Sequence, residues 1–217
     1  MSAVTTVLAG VAFGLALAAP PGPMNAIIAE ESVHRGFQAG VLTGLGAMIA
    51  DGIFFVFALV GVVAIVHQIP AIRDGMLFVG GLLMFYFAYG TLQELSTSFT
   101  TGHSSTSRGF WKALLLGLSN PYQILFWLTV GIVLLSPGTL DLFGSISPAL
   151  ADIFVVQTGS ILLIIGLFSG IILWIIFFPL LLVTAQKRIN SFGPIIALVS
   201  ALILAGFGLY FISDVLM

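Results

Sequence analysis

Asp51 is the only charged residue between positions 36 and 72, and the residues around it are otherwise almost wholly apolar. A lone carboxyl group in such a run can take up and release a proton, or hold a cationic group of a ligand. Two other clusters interrupt apolar runs. The first is Pro20-Pro21-Gly22-Pro23-Met24-Asn25, and the second is Ser119-Asn120-Pro121-Tyr122, followed by Gln123. Proline removes a backbone donor and clashes with the preceding turn, so a helix passing through either cluster breaks there. Gly22-Pro23 and Asn120-Pro121 each read as an N-cap followed by proline at the first helical position. A half-helix that starts inside an apolar run presents partial positive charge at its N-terminus, which suits a carboxylate or another anion. The amides of Asn25, Asn120 and Gln123 can hydrogen-bond a ligand or satisfy the freed backbone. The candidate substrate-binding residues are therefore Pro21, Gly22, Pro23, Asn25, Asn120, Pro121, Tyr122 and Gln123, with Asp51 as the candidate proton-coupling group. No catalytic residue and no cofactor is expected.

These residues need elements that hold them at depth. The chain has 217 residues, 59% hydrophobic and 6% charged, with six Lys/Arg, eight Asp/Glu and no cysteine. Soluble domains carry about 25% charged residues, so this chain lacks the means to cover a water-facing surface. A nucleic-acid binder would need a basic face. Without cysteine there are no disulfides, thiolate metal sites or thiol redox chemistry. The lipid bilayer is the expected solvent.

A membrane helix needs about 20 mostly apolar residues. Six runs qualify: 4–30, 37–66, 75–96, 109–135, 153–183 and 191–214. They are continuous rather than alternating, which disfavours a β-barrel. Ala16-Leu17-Ala18 resembles a signal-peptide cleavage site, but no Lys or Arg precedes the apolar run and the run continues past Pro23. The expected fold is an all-α membrane protein. The first, third and fifth connections hold Arg35, Arg108, Lys112, Lys187 and Arg188, against Arg73 on the opposite side. The positive-inside rule then puts the odd loops in the cytoplasm and both termini outside.

The polar stretch 97–108, TSFTTGHSSTSR, divides a single transmembrane domain, 1–217, into three-span halves, 1–96 and 108–217. Three is odd, so the second half enters from the opposite side. Two inverted three-helix repeats, with helices 1 and 4 broken at proline in corresponding places, are the layout of secondary transporters whose binding site lies at the breaks.

The remaining polar and small residues carry plainer readings. Gly36, Gly40 and Gly44 recur every four residues with Gly46 beyond, and Gly10/Gly14 and Gly166/Gly170 repeat that spacing, as close helix contact requires. Glu30, Glu31, His34 and Arg35 read as a solvated helix end. Glu30 and His34 are four apart, but two ligands do not make a metal site. His67 and His103 are loop histidines. Phe110, Trp111 and Tyr210 read as interfacial aromatics. Tyr86, Tyr89, Tyr122, Trp127 and Trp174 are able to line a path, but helix packing is the stronger reading for each.

At the motifs above, the chain resembles the lysine-exporter (LysE/RhtB) family of amino-acid efflux proteins over nearly all its length. Pro21-Gly22-Pro23 with Asn25 carries the first motif. Arg35-Gly36, Gly40, Gly44, Gly46 and Asp51 carry the second. Asn120-Pro121, with Leu125-Phe126-Trp127 after it, carries the third. The resemblance implies six helices in the plasma membrane, export of amino acids or similar small solutes by proton exchange, and a homodimer. Where the family has lysine after Asn-Pro, this chain has Tyr122, so a mechanism using that cation does not carry over. The wider superfamily includes metal-ion exporters and a thiol-redox transporter. The lack of cysteine excludes the latter, and the lack of a His/Asp/Glu cluster argues against the former. A passive channel needs neither a titratable group nor paired breaks, and an intramembrane enzyme needs a second catalytic group at the depth of Asp51.

Overall fold

Apolar runs this long form helices because a bilayer leaves every backbone amide and carbonyl to be satisfied within the segment. A computed structural model of the chain describes residues 3–61, 69–96, 107–120, 123, 126–141, 155–188 and 192–216. In chain order these form α1 (Ala3–Ala18), α2 (Pro23–Arg35), α3 (Phe37–Leu59), α4 (Pro70–Ser96) and α5 (Ser107–Leu118). A π-helical turn (Trp127–Gly131) and α6 (Ile132–Leu135) follow, then strands β1 (Gly138–Asp141) and β2 (Val155–Thr158), and finally α7 (Ile161–Gln186) and α8 (Phe192–Leu216).

Four helices among the described residues, α3, α4, α7 and α8, are long and apolar enough to cross a membrane. A fifth span is counted if α1 and α2, bent by 83° at the break between them, cross together. The expected run 109–135 does not form one helix among the described residues: α5 stops at Leu118 and the π turn begins at Trp127. Pro121, Tyr122 and Leu125 lie outside the described residues, as do His67, His103 and most of the polar stretch 97–108. The expected fifth run started at 153, but α7 starts at Ile161, because residues 155–158 pair with β1 as a short antiparallel ladder from Gly138↔Thr158 to Asp141↔Val155. Ser160 caps α7 by accepting a hydrogen bond from the amide of Leu162. The sequence reading contained no strand; four residues between turns are too few to show a period.

Where two backbones meet, glycine removes the side chain that would hold them apart. A Cβ placed on Gly10 would strike the Leu163 carbonyl, and one on Gly14 the Leu167 carbonyl; in return, Gly166 and Gly170 face the carbonyls of Val7 and Val11. The two glycine pairs thus form one seam between α1 and α7. A second seam joins α3 to α5: Gly46 lies on the carbonyl of Phe110, Gly109 on the hydroxyl of Thr43, and Gly117 on the methyl of Ala50. α4 packs along α8, with Gly80 and Gly81 at the contact. Gly36 has φ of 88°, a left-handed value that favours glycine, and there α2 turns directly into α3.

Two main apolar cores result, beside a small cluster of Ala29, Val33 and Leu182. Trp127, Leu134, Val156, Leu163 and Leu167 centre one; Ile27, Leu77, Met84, Leu116, Leu204 and Phe211 centre the other. Large apolar side chains such as Leu8, Val60, Ile161 and Leu202 stay exposed, as an acyl-chain environment permits.

Gly166→Leu forces α1 off α7. Overpacking of this kind costs about 1–3 kcal/mol, so the melting temperature in detergent falls by roughly 2–12 °C. Gly90→Leu enters open space and leaves it unchanged. Thermal unfolding followed by tryptophan fluorescence separates the two.

Candidate functional site

The break between α1 and α2 is where the sequence places it, and its two ends are treated differently. Gly22 is the N-cap of α2 in extended conformation and Pro23 opens the helix. At the end of α1, the amide of Asn25 donates to the carbonyls of Ala18 (2.7 Å) and Pro20 (2.8 Å). The Asn25 carbonyl accepts from the Trp174 indole at 3.0 Å. One buried side chain therefore closes the carbonyl end of the break and ties it to α7. The amide end of α2 has no such closure, since no side chain caps it. Its first-turn amides have no partner within the helix, and such groups suit an anion.

A cavity of about 230 Å³ opens beside this break. Gly22, Pro23 and Asn25 line it from α2, Asp51 from α3, and Asn120 and Gln123 from beyond the end of α5. Six of the nine residues singled out from the sequence thus meet around one space. Pro21 is exposed and does not line it, and Pro121 and Tyr122 lie outside the described residues. The rest of the wall is mainly apolar: Leu17, Met24, Ile28, Met48, Phe126, Ile171 and Ile175.

Asp51 is buried, with 8% of its surface exposed. Its Oδ1 accepts from Gln123 Nε2 at 2.6 Å and from Trp127 Nε1 at 3.4 Å. Both donors are neutral, and among the described residues no Lys or Arg pairs with it. Trp127 is fully buried and opens the π turn, with its ring against Gly131. π turns inside helices are frequent at functional sites.

Trp127 and Trp174, for which the sequence reading preferred packing over lining a path, both stand at the site. Nothing local distinguishes them, because their indole N–H groups find Asp51 and Asn25 across 76 and 149 positions of chain. Tyr86 and Tyr89 are exposed at the surface, as are Trp111 and Tyr210.

The reading of Glu30, Glu31, His34 and Arg35 as a solvated helix end is incorrect. Glu30 and Glu31 are each only 1% exposed. Lys112, counted above among the loop charges, is buried between them, with Nζ 3.1 Å from Glu30 Oε1 and 3.1 Å from Glu31 Oε1. Arg35 holds Glu31 Oε2 at 2.8 Å. A lysine between the two carboxylates makes this an ion cluster, and among the described residues no group of three or more His, Asp or Glu is placed to hold a metal ion.

An interrupted helix, a buried carboxyl and an adjoining cavity within apolar helices define an integral membrane protein with a solute-sized internal site. The family of LysE type translocators matches residues 15–215, and the chain belongs to that family. It is accordingly a transporter and not an enzyme. Among its relatives is a putative amino acid efflux protein, YcgF, of Bacillus subtilis, 28% identical over 77% of this chain and 75% of the relative. A leucine efflux protein of Salmonella typhimurium is 29% identical over 50% of this chain and 53% of its own. An uncharacterized membrane protein of Escherichia coli, YahN, is 28% identical over 55% and 56%. No solved structure matches.

Asn25→Leu strands the carbonyls of Ala18 and Pro20 and the Trp174 indole. An unsatisfied buried polar group costs about 1–3 kcal/mol, so this variant is less stable than Trp174→Phe, which frees a single acceptor on Asn25. Denaturation of the two purified variants side by side checks the order.

Proposed function

We propose that this protein exports amino acids from the cell by exchange with protons, and that a single carboxylate, Asp51, couples the two fluxes. One observation carries the reading: Asp51 and the uncapped start of α2 border the same cavity. A zwitterionic amino acid offers a carboxylate to the α2 amides and to Asn120 and Gln123, and an ammonium group to Asp51. The Asp51 carboxylate can hold the ammonium or a proton but not both, and that competition couples outward cargo to inward protons. Asn25 keeps the break open rather than binding cargo through its amide, which is already engaged. The apolar wall, with no charged residue other than Asp51 among the described residues that line it, favours an aliphatic side chain over a charged one. The Salmonella relative's name, leucine efflux protein, agrees with that preference.

The halves 1–96 and 108–217 are read as inverted repeats. Exchanging them maps the α1–α7 seam onto the α5–α3 seam and the α4–α8 contact onto itself, a pattern that supports this reading. Such halves rock about a central site. The odd connections are read as cytoplasmic in the plasma membrane with both termini outside. Lys112 and Arg35 drop out of the charge count because both are paired to Glu30 and Glu31, leaving Arg108, Lys187 and Arg188 against Arg73. The homodimer that the family resemblance implies is part of the same proposal.

In proteoliposomes loaded with leucine, Asp51→Asn removes the stimulation of efflux by an imposed proton gradient. The expected loss is about tenfold or more, equivalent to roughly 1.4 kcal/mol of coupling. Gradient-driven efflux at the wild-type rate in the variant refutes the coupling role. Lysine exported as fast as leucine refutes the apolar cargo.

A further inference from the structure

The Glu30–Glu31–Lys112 cluster is separate from the cargo cavity. Lys112 lies eight residues before Asn120, roughly 12 Å along the chain at helical rise. The cluster fills the space where the end of α2 and the starts of α3 and α5 converge. It joins the two halves of the chain, with Glu30 and Lys112 separated by 82 positions.

Its charges balance. Glu30 and Glu31 face Lys112 and Arg35, so all four can be ionised without a proton being bound. This composition suits a junction better than a proton carrier. It is also a poor permanent seal, because taking ions out of water cancels much of what their attraction returns. Here the compensation is incomplete. Glu30 Oε2 is sealed from solvent and accepts no hydrogen bond from the described residues. Water reaching the cluster would hydrate that oxygen and both separated charges. A paired, dry arrangement and a parted, wet one are thereby brought close in free energy, whereas an apolar junction only loses by being wetted.

α5 transmits any parting. It meets α3 at Gly46, Gly109 and Gly117, each of which lies against backbone or a small side chain of the other helix. Beyond its end, Asn120 and Gln123 line the cavity and Gln123 holds Asp51.

We propose that Lys112, clasped by Glu30 and Glu31, is a charged latch between α2 and α5 that closes one mouth of the cargo cavity and parts during each transport cycle. The proposal rests on the exporter reading, but its test does not. The chain has no cysteine, so Met48→Cys, on the cavity wall, is a unique thiol reporter. Its labelling by a membrane-impermeant maleimide is measured in proteoliposomes, alongside leucine efflux. Adding Lys112→Met leaves Glu30 unpaired and Glu31 with Arg35 alone, and labelling quickens by about tenfold as a minor open state becomes a major one. The swap Glu30→Lys with Lys112→Glu restores slow labelling. The triple variant, Glu30→Gln, Glu31→Gln and Lys112→Met, keeps Arg35 as the cluster's single charge and has no ion pair between α2 and α5 to part; it labels no faster than the parent and exports more slowly.

Unchanged labelling in the lysine variant overturns the latch, as does full-rate export by the triple variant. If the lysine variant fails to fold, the swap and the triple variant decide by the same readouts. Labelling that follows this pattern while no variant moves leucine keeps the latch and rejects the cargo; leucine export with flat labelling does the reverse.

Discussion

A polypeptide in hydrocarbon has no water to satisfy backbone groups, and the interruption between α1 and α2 is governed by that fact. Breaking a helix frees carbonyls on one side and amides on the other. Asn25 takes up the carbonyls of Ala18 and Pro20. No side chain takes up the amides at the start of α2. The asymmetry selects the ligand: a break with its negative ends closed and its positive ends open suits an anionic group. Trp174 then fixes the Asn25 side chain by holding its oxygen, so the amide is oriented before any cargo arrives.

Buried polarity is handled in two contrasting ways within the same bundle. The carboxyl of Asp51 meets only neutral donors, from Gln123 and Trp127. Glu30 and Glu31 meet fixed cations. A carboxylate held by dipoles can gain or lose a proton, or exchange it for an ammonium group, without dismantling its surroundings. A carboxylate matched to a lysine loses that lysine's compensation if it is neutralised, so its natural change is to separate rather than to titrate.

What could be read from the sequence was whatever depends on neighbours in the chain. Hydropathy marks the long helices, and proline with a capping residue marks the break at Gly22-Pro23. Asp51 is conspicuous because nothing near it is charged. The seams were half legible: spacing singled out Gly10/Gly14 and Gly166/Gly170 as contact surfaces, but not that they face each other. The ion cluster was misread for a definite reason. Charges gather at helix ends in membrane proteins, so Glu30, Glu31 and Lys112 looked like ordinary boundary residues. What identifies them is a pairing across 82 positions. The indoles of Trp127 and Trp174 were missed in the same way, since apolar rings normally pack and only their distant acceptors give them another role.

The glycine seams show why such a molecule can hold a cavity and still change shape. At α1–α7 glycine lets backbone meet backbone, and at α3–α5 it lets one helix rest on the backbone of Phe110 and the small side chains of Thr43 and Ala50. Contacts of this type are close but shallow, so small displacements along them need little repacking of the apolar cores on either side. Both seams contribute to the cavity lining beside α2: α1 and α7 supply Leu17, Ile171 and Trp174, while α3 and the residues after α5 supply Met48 and Phe126 together with the polar Asp51, Asn120 and Gln123. Movement along either seam changes the distance between these two walls. A ligand that touches both walls favours the arrangement in which they are closest, and one that touches a single wall exerts no such preference. Occupancy and shape are therefore linked through the same set of side chains, without any separate signalling element.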